Sequence, residues 1–102
     1  MPQNQEDSQH DPPVRVLLPS MLAERAHYRH TATAHGKTVR EVISTLDEQY
    51  PGIRFNLCLE TGDLRPFVNI FVNGENIRYL CGLDTTVTPG ATLHILPSVA
   101  GG

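Results

Sequence analysis

The stretch Phe67-Val68-Asn69-Ile70-Phe71-Val72-Asn73-Gly74 alternates two kinds of side chain and then stops on a turn signal. In an extended chain successive side chains point to opposite faces, so Val68, Ile70 and Val72 share one face and Phe67, Asn69 and Phe71 the other. The first set is wholly apolar and β-branched, which predicts a buried sheet face. The second mixes aromatic rings with an amide. Asn73-Gly74 suits the positive φ angles of a tight hairpin, which sends the chain back along a short strand, Ile77-Arg78-Tyr79. Thr88-Pro89-Gly90 marks a further turn into a strand over Thr92 to Leu96, closed by Pro97.

Working outward, Val14, Val16 and Leu18 alternate with Arg15 and Leu17 before Pro19, the period-two pattern of a first strand. Between Met21 and Gly36 the composition is mixed, with a helical MLAERA followed by the small and β-branched residues of HTATAH. The expectation is a loop and then a second strand near Tyr28 to Ala34, paired with the first as a hairpin. A helix is predicted from Thr38 to about Tyr50. Thr38 with Glu41 three residues later has capping-box spacing, and Val39, Val42, Ile43, Leu46 and Tyr50 form one apolar stripe. Pro51-Gly52 ends it, and Ile53 to Pro66 reads as a long loop. The resulting order is strand, strand, helix, loop, strand, short strand, strand. This predicts an α+β chain of β-grasp (ubiquitin-like) form, a mixed sheet covered on one face by one main helix. The domain spans 14–97, with a disordered leader at 1–13 and a flexible Gly-Gly tail at 98–102.

With 102 residues, 39% of them hydrophobic and 19% charged, the chain has the composition of one ordinary small globular domain. A formal charge of -3 and the absence of a Lys/Arg cluster argue against nucleic acid as a partner. No apolar run approaches a membrane span, and MPQNQEDSQHDPP has neither a basic nor an apolar segment of a secretory signal, so no membrane association and a cytoplasmic location are expected. Cys58 and Cys81 form no CxxC pair, and reduced thiols are the preferred reading, with a disulfide left open. His27, His30 and His35 lack companions at zinc-site spacing and read as solvated loop residues, so no metal is assigned. Glu60 and Asp63 are accounted for by turn chemistry.

The chemistry is expected at Ser98-Val99-Ala100-Gly101-Gly102. Glycine lacks a Cβ, so Gly101-Gly102 can thread a narrow channel and deliver the Gly102 carboxylate to an active site. Five extended residues reach about 17 Å at most, which lets the folded body dock outside that channel. A carboxylate is a poor electrophile until its oxygen is made a leaving group, as adenylylation by ATP would do. The chain has no GxxxxGK[ST] loop, so a nucleotide site belongs to a partner and the chain itself reads as a protein substrate, not an enzyme.

The segments Phe67-Val68-Asn69-Ile70-Phe71-Val72-Asn73 and Leu93-His94-Ile95-Leu96-Pro97-Ser98-Val99-Ala100-Gly101-Gly102 resemble the MoaD/ThiS ubiquitin-like sulfur carriers, nearest to the CysO type of actinobacterial carriers. The likeness runs from about Val14 onward. It implies an activating partner of the ubiquitin-activating-enzyme type, an adenylyltransferase and sulfurtransferase that uses ATP, with no cofactor bound by the carrier. It also implies a C-terminal thiocarboxylate on Gly102 and a downstream sulfur-accepting synthase. That synthase is a PLP-dependent cysteine synthase in the CysO type, and a thiazole, thiosugar or molybdopterin enzyme in others. Two alternatives stay open: a ubiquitin-like modifier conjugated to lysines, and a small subunit of molybdopterin synthase.

The candidate working groups are therefore Gly102 and Gly101. Candidate partner contacts are Phe71 and Leu96, on the sheet face away from the helix, with Pro97, Ser98, Val99 and Ala100 leading into the tail. Leu17 and His94 alternate onto the same face, and Phe67 is expected to pack as core beneath the loop from Ile53 to Pro66.

Overall fold

The computed structural model describes residues 12–97; the leader as far as residue 11 and the expected working segment Ser98–Gly102 lie outside the described residues. Five strands make one sheet: β1 (Val14–Leu17), β2 (Thr31–Ala34), β3 (Val68–Val72), β4 (Glu75–Asn76) and β5 (Thr92–Pro97), in the order β2-β1-β5-β3-β4. β1 runs parallel to β5 and antiparallel to β2, while β3 is antiparallel to both β4 and β5. A mixed sheet of this order with one main helix is the β-grasp arrangement expected from the sequence.

That helix, α1 (Val39–Gln49), buries Val39, Val42, Ile43 and Leu46, the stripe read from their spacing. Thr38 caps it, its hydroxyl accepting from the Glu41 N–H at 3.2 Å. The reciprocal bond differs from the expected one: Glu41 Oε1 accepts from the Lys37 N–H at 2.8 Å, one residue before the cap. An antiparallel bridge at Thr38 and Thr86 ties down the residues flanking the cap, with the Val39 N–H donating to the Thr85 carbonyl at 3.1 Å and the Val87 N–H to the Lys37 carbonyl at 2.9 Å. Gly36 lies so close to this end that a Cβ there would stand 2.7 Å from the Val42 nitrogen and 2.9 Å from the Glu41 carbonyl carbon. Glycine is thus required at this position for space.

α1 packs across one sheet face, and Val14, Val16, Val68, Ile70, Val72, Leu93 and Ile95 are buried on that side. Val14, Val16, Val68, Ile70 and Val72 occupy the alternate positions predicted for the core, and Leu93 and Ile95 join them.

Several local expectations are corrected. Ile53–Leu57, expected within a loop, is a second short helix, α2, with Ile53 and Leu57 both fully buried. Five residues are too few for periodicity to register, but Asp47 Oδ1 accepts from both the Gly52 and the Arg54 N–H at 3.0 Å and so fixes its start. Ile77–Tyr79 is a 3₁₀ turn, not a strand, and the return strand is the shorter β4. The Asn76 side chain accepts from the Arg78 N–H at 2.9 Å, a local bond that competes with continued pairing. β2 begins at Thr31, because Tyr28 and His27 have positive φ and cannot extend a strand.

Two stability outcomes follow. Ile70→Ala should cost about 2–5 kcal/mol, since a fully buried central side chain leaves a cavity. Gly36→Ala should cost about 1–3 kcal/mol by overpacking against backbone that cannot move aside. Urea unfolding midpoints at constant m-value check both.

Candidate docking face and the root of the tail

The sheet face opposite α1 carries a continuous row of directly opposed residues. Leu17 lies between Thr31 and His94, His94 is opposite Phe71, and Phe71 is opposite Asn76. Directly opposed side chains point to the same face, so Leu17, His94 and Phe71 form one contiguous cluster. Leu96 stands two residues beyond His94 on the same face and opposite Asn69. All four are partly exposed. Their surround is polar, with Arg15 opposite Thr33 and Thr92 at one margin and Thr31 and Asn76 at the ends of the row. Leu17, Phe71 and Leu96 thus supply apolar surface beside the His94 imidazole within a polar rim, a composition suited to protein docking.

The expected contacts Phe71 and Leu96 are therefore brought together with Leu17 and His94. Pro97 is opposite Val68 and exposed, at the end of β5. Ser98, Val99, Ala100, Gly101 and Gly102 lie outside the described residues. Phe67 is corrected: it does not pack as core but sits in the turn before β3, 53% exposed. The segment that was expected to cover it folds elsewhere, with α2 against the core and Cys58 bridged to Leu64.

Asp63 and His27 are structurally occupied. Asp63 Oδ2 accepts from the Thr61 hydroxyl at 3.1 Å within its turn. His27 meets Tyr50 edge to face at 5.4 Å. Among the described residues no group of three or more His, Cys, Asp or Glu stands together as metal ligands, and no helix is long and apolar enough to cross a membrane. Both cysteines are free thiols; Cys58 is buried and Cys81 exposed. Burial pushes the Cys58 thiol up, against the opposing pull of the Arg54, Arg40 and Arg65 guanidiniums, which keeps it protonated and a weak nucleophile at neutral pH.

Comparison with known proteins agrees with the fold. The sequence model described as the ThiS family matches residues 16–102. The sulfur carrier protein CysO of Mycobacterium tuberculosis is 40% identical over 91 residues, covering 87% of this chain and 98% of that protein. A chain of the Amycolatopsis orientalis BexX/CysO complex superposes with a TM-score of 0.81 at 38% identity, covering 87% of this chain and 99% of that one. The small archaeal modifier protein 1 of Methanosarcina acetivorans does so with a TM-score of 0.76 at 31% identity, covering 91% and 99%. The β-grasp fold, the match through residue 102 and the identity to a mycobacterial carrier over nearly its whole length establish that the chain belongs to the ThiS family.

Proposed function

We propose that this protein is a sulfur carrier whose working group is the carboxylate of Gly102. The observation that carries this reading is the family match running through Gly102 together with 40% identity to a protein described as a sulfur carrier. The cluster of Leu17, His94, Phe71 and Leu96 supplies the grip, and Pro97 is the point from which the tail is led to the partner.

The chemistry follows from the weakness of a carboxylate as an electrophile. An oxygen of the Gly102 carboxylate attacks the α-phosphorus of ATP in the partner's site, and pyrophosphate leaves. A sulfur nucleophile delivered by the partner then adds to the carbonyl carbon of the acyl-adenylate and AMP departs, leaving a thiocarboxylate. Cys58, buried and protonated, does not serve as that nucleophile. The thiocarboxylate sulfur then attacks an electrophilic carbon of an acceptor held by a biosynthetic synthase. Hydrolysis of the resulting Gly102 acyl bond leaves the sulfur on the acceptor and returns the carboxylate; cysteine formation is the CysO-like destination. The role of the chain is that of a substrate and carrier, with ATP bound only by its activating partner and no cofactor of its own.

A second reading is favoured by one finding, the structural likeness to an archaeal protein named as a modifier. There the same activated carboxylate would be captured by a lysine amine. The two part at the nucleophile, so a single experiment separates them. Incubated with ATP, a sulfide source and the activating partner from the same cell, the chain should gain the mass of one oxygen-to-sulfur exchange at its C-terminus, without conjugates to other proteins. Deleting Gly102 or adding one alanine after it should abolish that gain while leaving the unfolding transition unchanged. Sulfur delivery that survives the added alanine would exclude the Gly102 carboxylate, and conjugate ladders without a thiocarboxylate would favour the modifier.

A further inference from the structure

Phe67 is an exposed aromatic ring on a backbone that is tied down on both sides. It occupies a turn closed by the Val68 N–H donating to the Arg65 carbonyl at 3.1 Å, with Pro66 at the position where a fixed φ suits such a turn. Across it lies the Arg78 guanidinium. Arg78 Nη2 stands 2.7 Å from the Val68 carbonyl, 3.3 Å from the Pro66 carbonyl and 3.2 Å from the Arg65 carbonyl, and Nε donates to Asn69 Oδ1 at 3.3 Å. One planar cation thus gathers the carbonyls on either side of Phe67, in bonds strengthened by its charge. The ring itself remains 53% exposed.

The place of this clamp in the sheet gives it meaning. β1 flanks β5 only as far as His94, and from Leu96 to Pro97 the described pairing is to β3 alone, through Asn69 and Val68. The root of the tail is therefore held by the segment that Arg78 secures. Opposed Cα atoms in an antiparallel pair lie about 4.5–5.5 Å apart and consecutive ones about 3.8 Å, so Phe67 lies within about 10 Å of Pro97. The five residues beyond Pro97 extend at most about 17 Å. A partner that takes hold of Gly102 brings its surface within that radius. An interface of ordinary size, about 800 Å² per partner, is wide enough to reach Phe67. A ring already fixed in place loses little freedom on docking, and aromatic residues dominate the energetics of interfaces.

We propose that Phe67 is a docking anchor for the ATP-dependent partner that activates Gly102, and that Arg78 is the positioning residue that presents it. This rests on the sulfur-carrier reading above. The partner's complement is an apolar pocket beside the mouth of the channel that admits the tail, separate from the surface that meets the Leu17, His94 and Phe71 cluster.

The test is steady-state adenylylation of the full chain by its activating partner, followed as pyrophosphate release, for wild type, Phe67→Ala, Phe67→Tyr, Arg78→Gln and the double variant. Phe67→Ala should raise KM for the chain about tenfold with kcat nearly unchanged, the size of a typical anchor contact. Its unfolding midpoint should stay at the wild-type value, because the ring is largely in solvent already. Phe67→Tyr should restore the wild-type KM. Arg78→Gln should raise KM to a similar degree at a temperature where the variant is fully folded, and the double variant should add little, since both changes remove one contact. An unchanged KM for Phe67→Ala, with wild type readily activated, overturns the anchor and leaves the carrier function standing. Multiplicative effects in the double variant overturn the presenting role of Arg78. Failure of the wild-type chain to be adenylylated removes the carrier function, and the anchor with it.

Discussion

Insertion of β5 between β1 and β3 is the constraint on which the rest of the molecule depends. Leu93 and Ile95 are fully buried there, with strands hydrogen-bonded on both sides over the first half of β5. β1 and β5 are parallel, and parallel neighbours cannot be joined by a tight turn. The whole intervening chain is their crossover, and α1 within it lies across the sheet. β5 thus enters the middle of the sheet, and its last residues leave alongside β3, which pairs with β5 through Pro97. A segment leaving such a place has a defined origin relative to the surface around it.

Covering only one face divides the protein into two working halves. Toward α1 the sheet presents an unbroken apolar layer, and the alternate residues on its other side are free to be chosen for recognition. Leu17, His94 and Phe71 are neighbours only because strands distant in sequence are placed side by side with matched register. A slip of one residue in any of these strands would exchange the two faces. The register that seals the core is thus the same register that assembles the docking cluster, and the two cannot be altered independently.

Activation in the proposed cycle demands that the reacting carboxylate enter another protein while its own fold stays outside. Selectivity then resides in the body and reactivity in the tail, joined at Pro97. Pro97 cannot donate a backbone hydrogen bond, which is tolerated at the end of a strand but not in its middle. The exposed Phe67 and the Arg78 guanidinium stand beside this junction.

Local physical rules made much of this legible in the residues themselves. The period-two alternation of Val68, Ile70 and Val72, the stripe of Val39, Val42, Ile43 and Leu46, and the Thr38 cap are properties of near neighbours, and each corresponds to the observed element and burial. The Gly101-Gly102 ending and the family resemblance likewise required only sequence. Tertiary structure decided what depends on distant partners. Ile53–Leu57 is helical because Asp47 and the core secure a segment too short to hold itself, and Ile77–Tyr79 turns instead of pairing because Asn76 captures its backbone. Phe67 is exposed because the chain before it packs elsewhere. No local pattern encodes where a neighbouring segment will lie, and for that reason the Arg78 clamp, spanning Arg65 to Asn69 from a turn ten residues away, was visible only once the chain was folded.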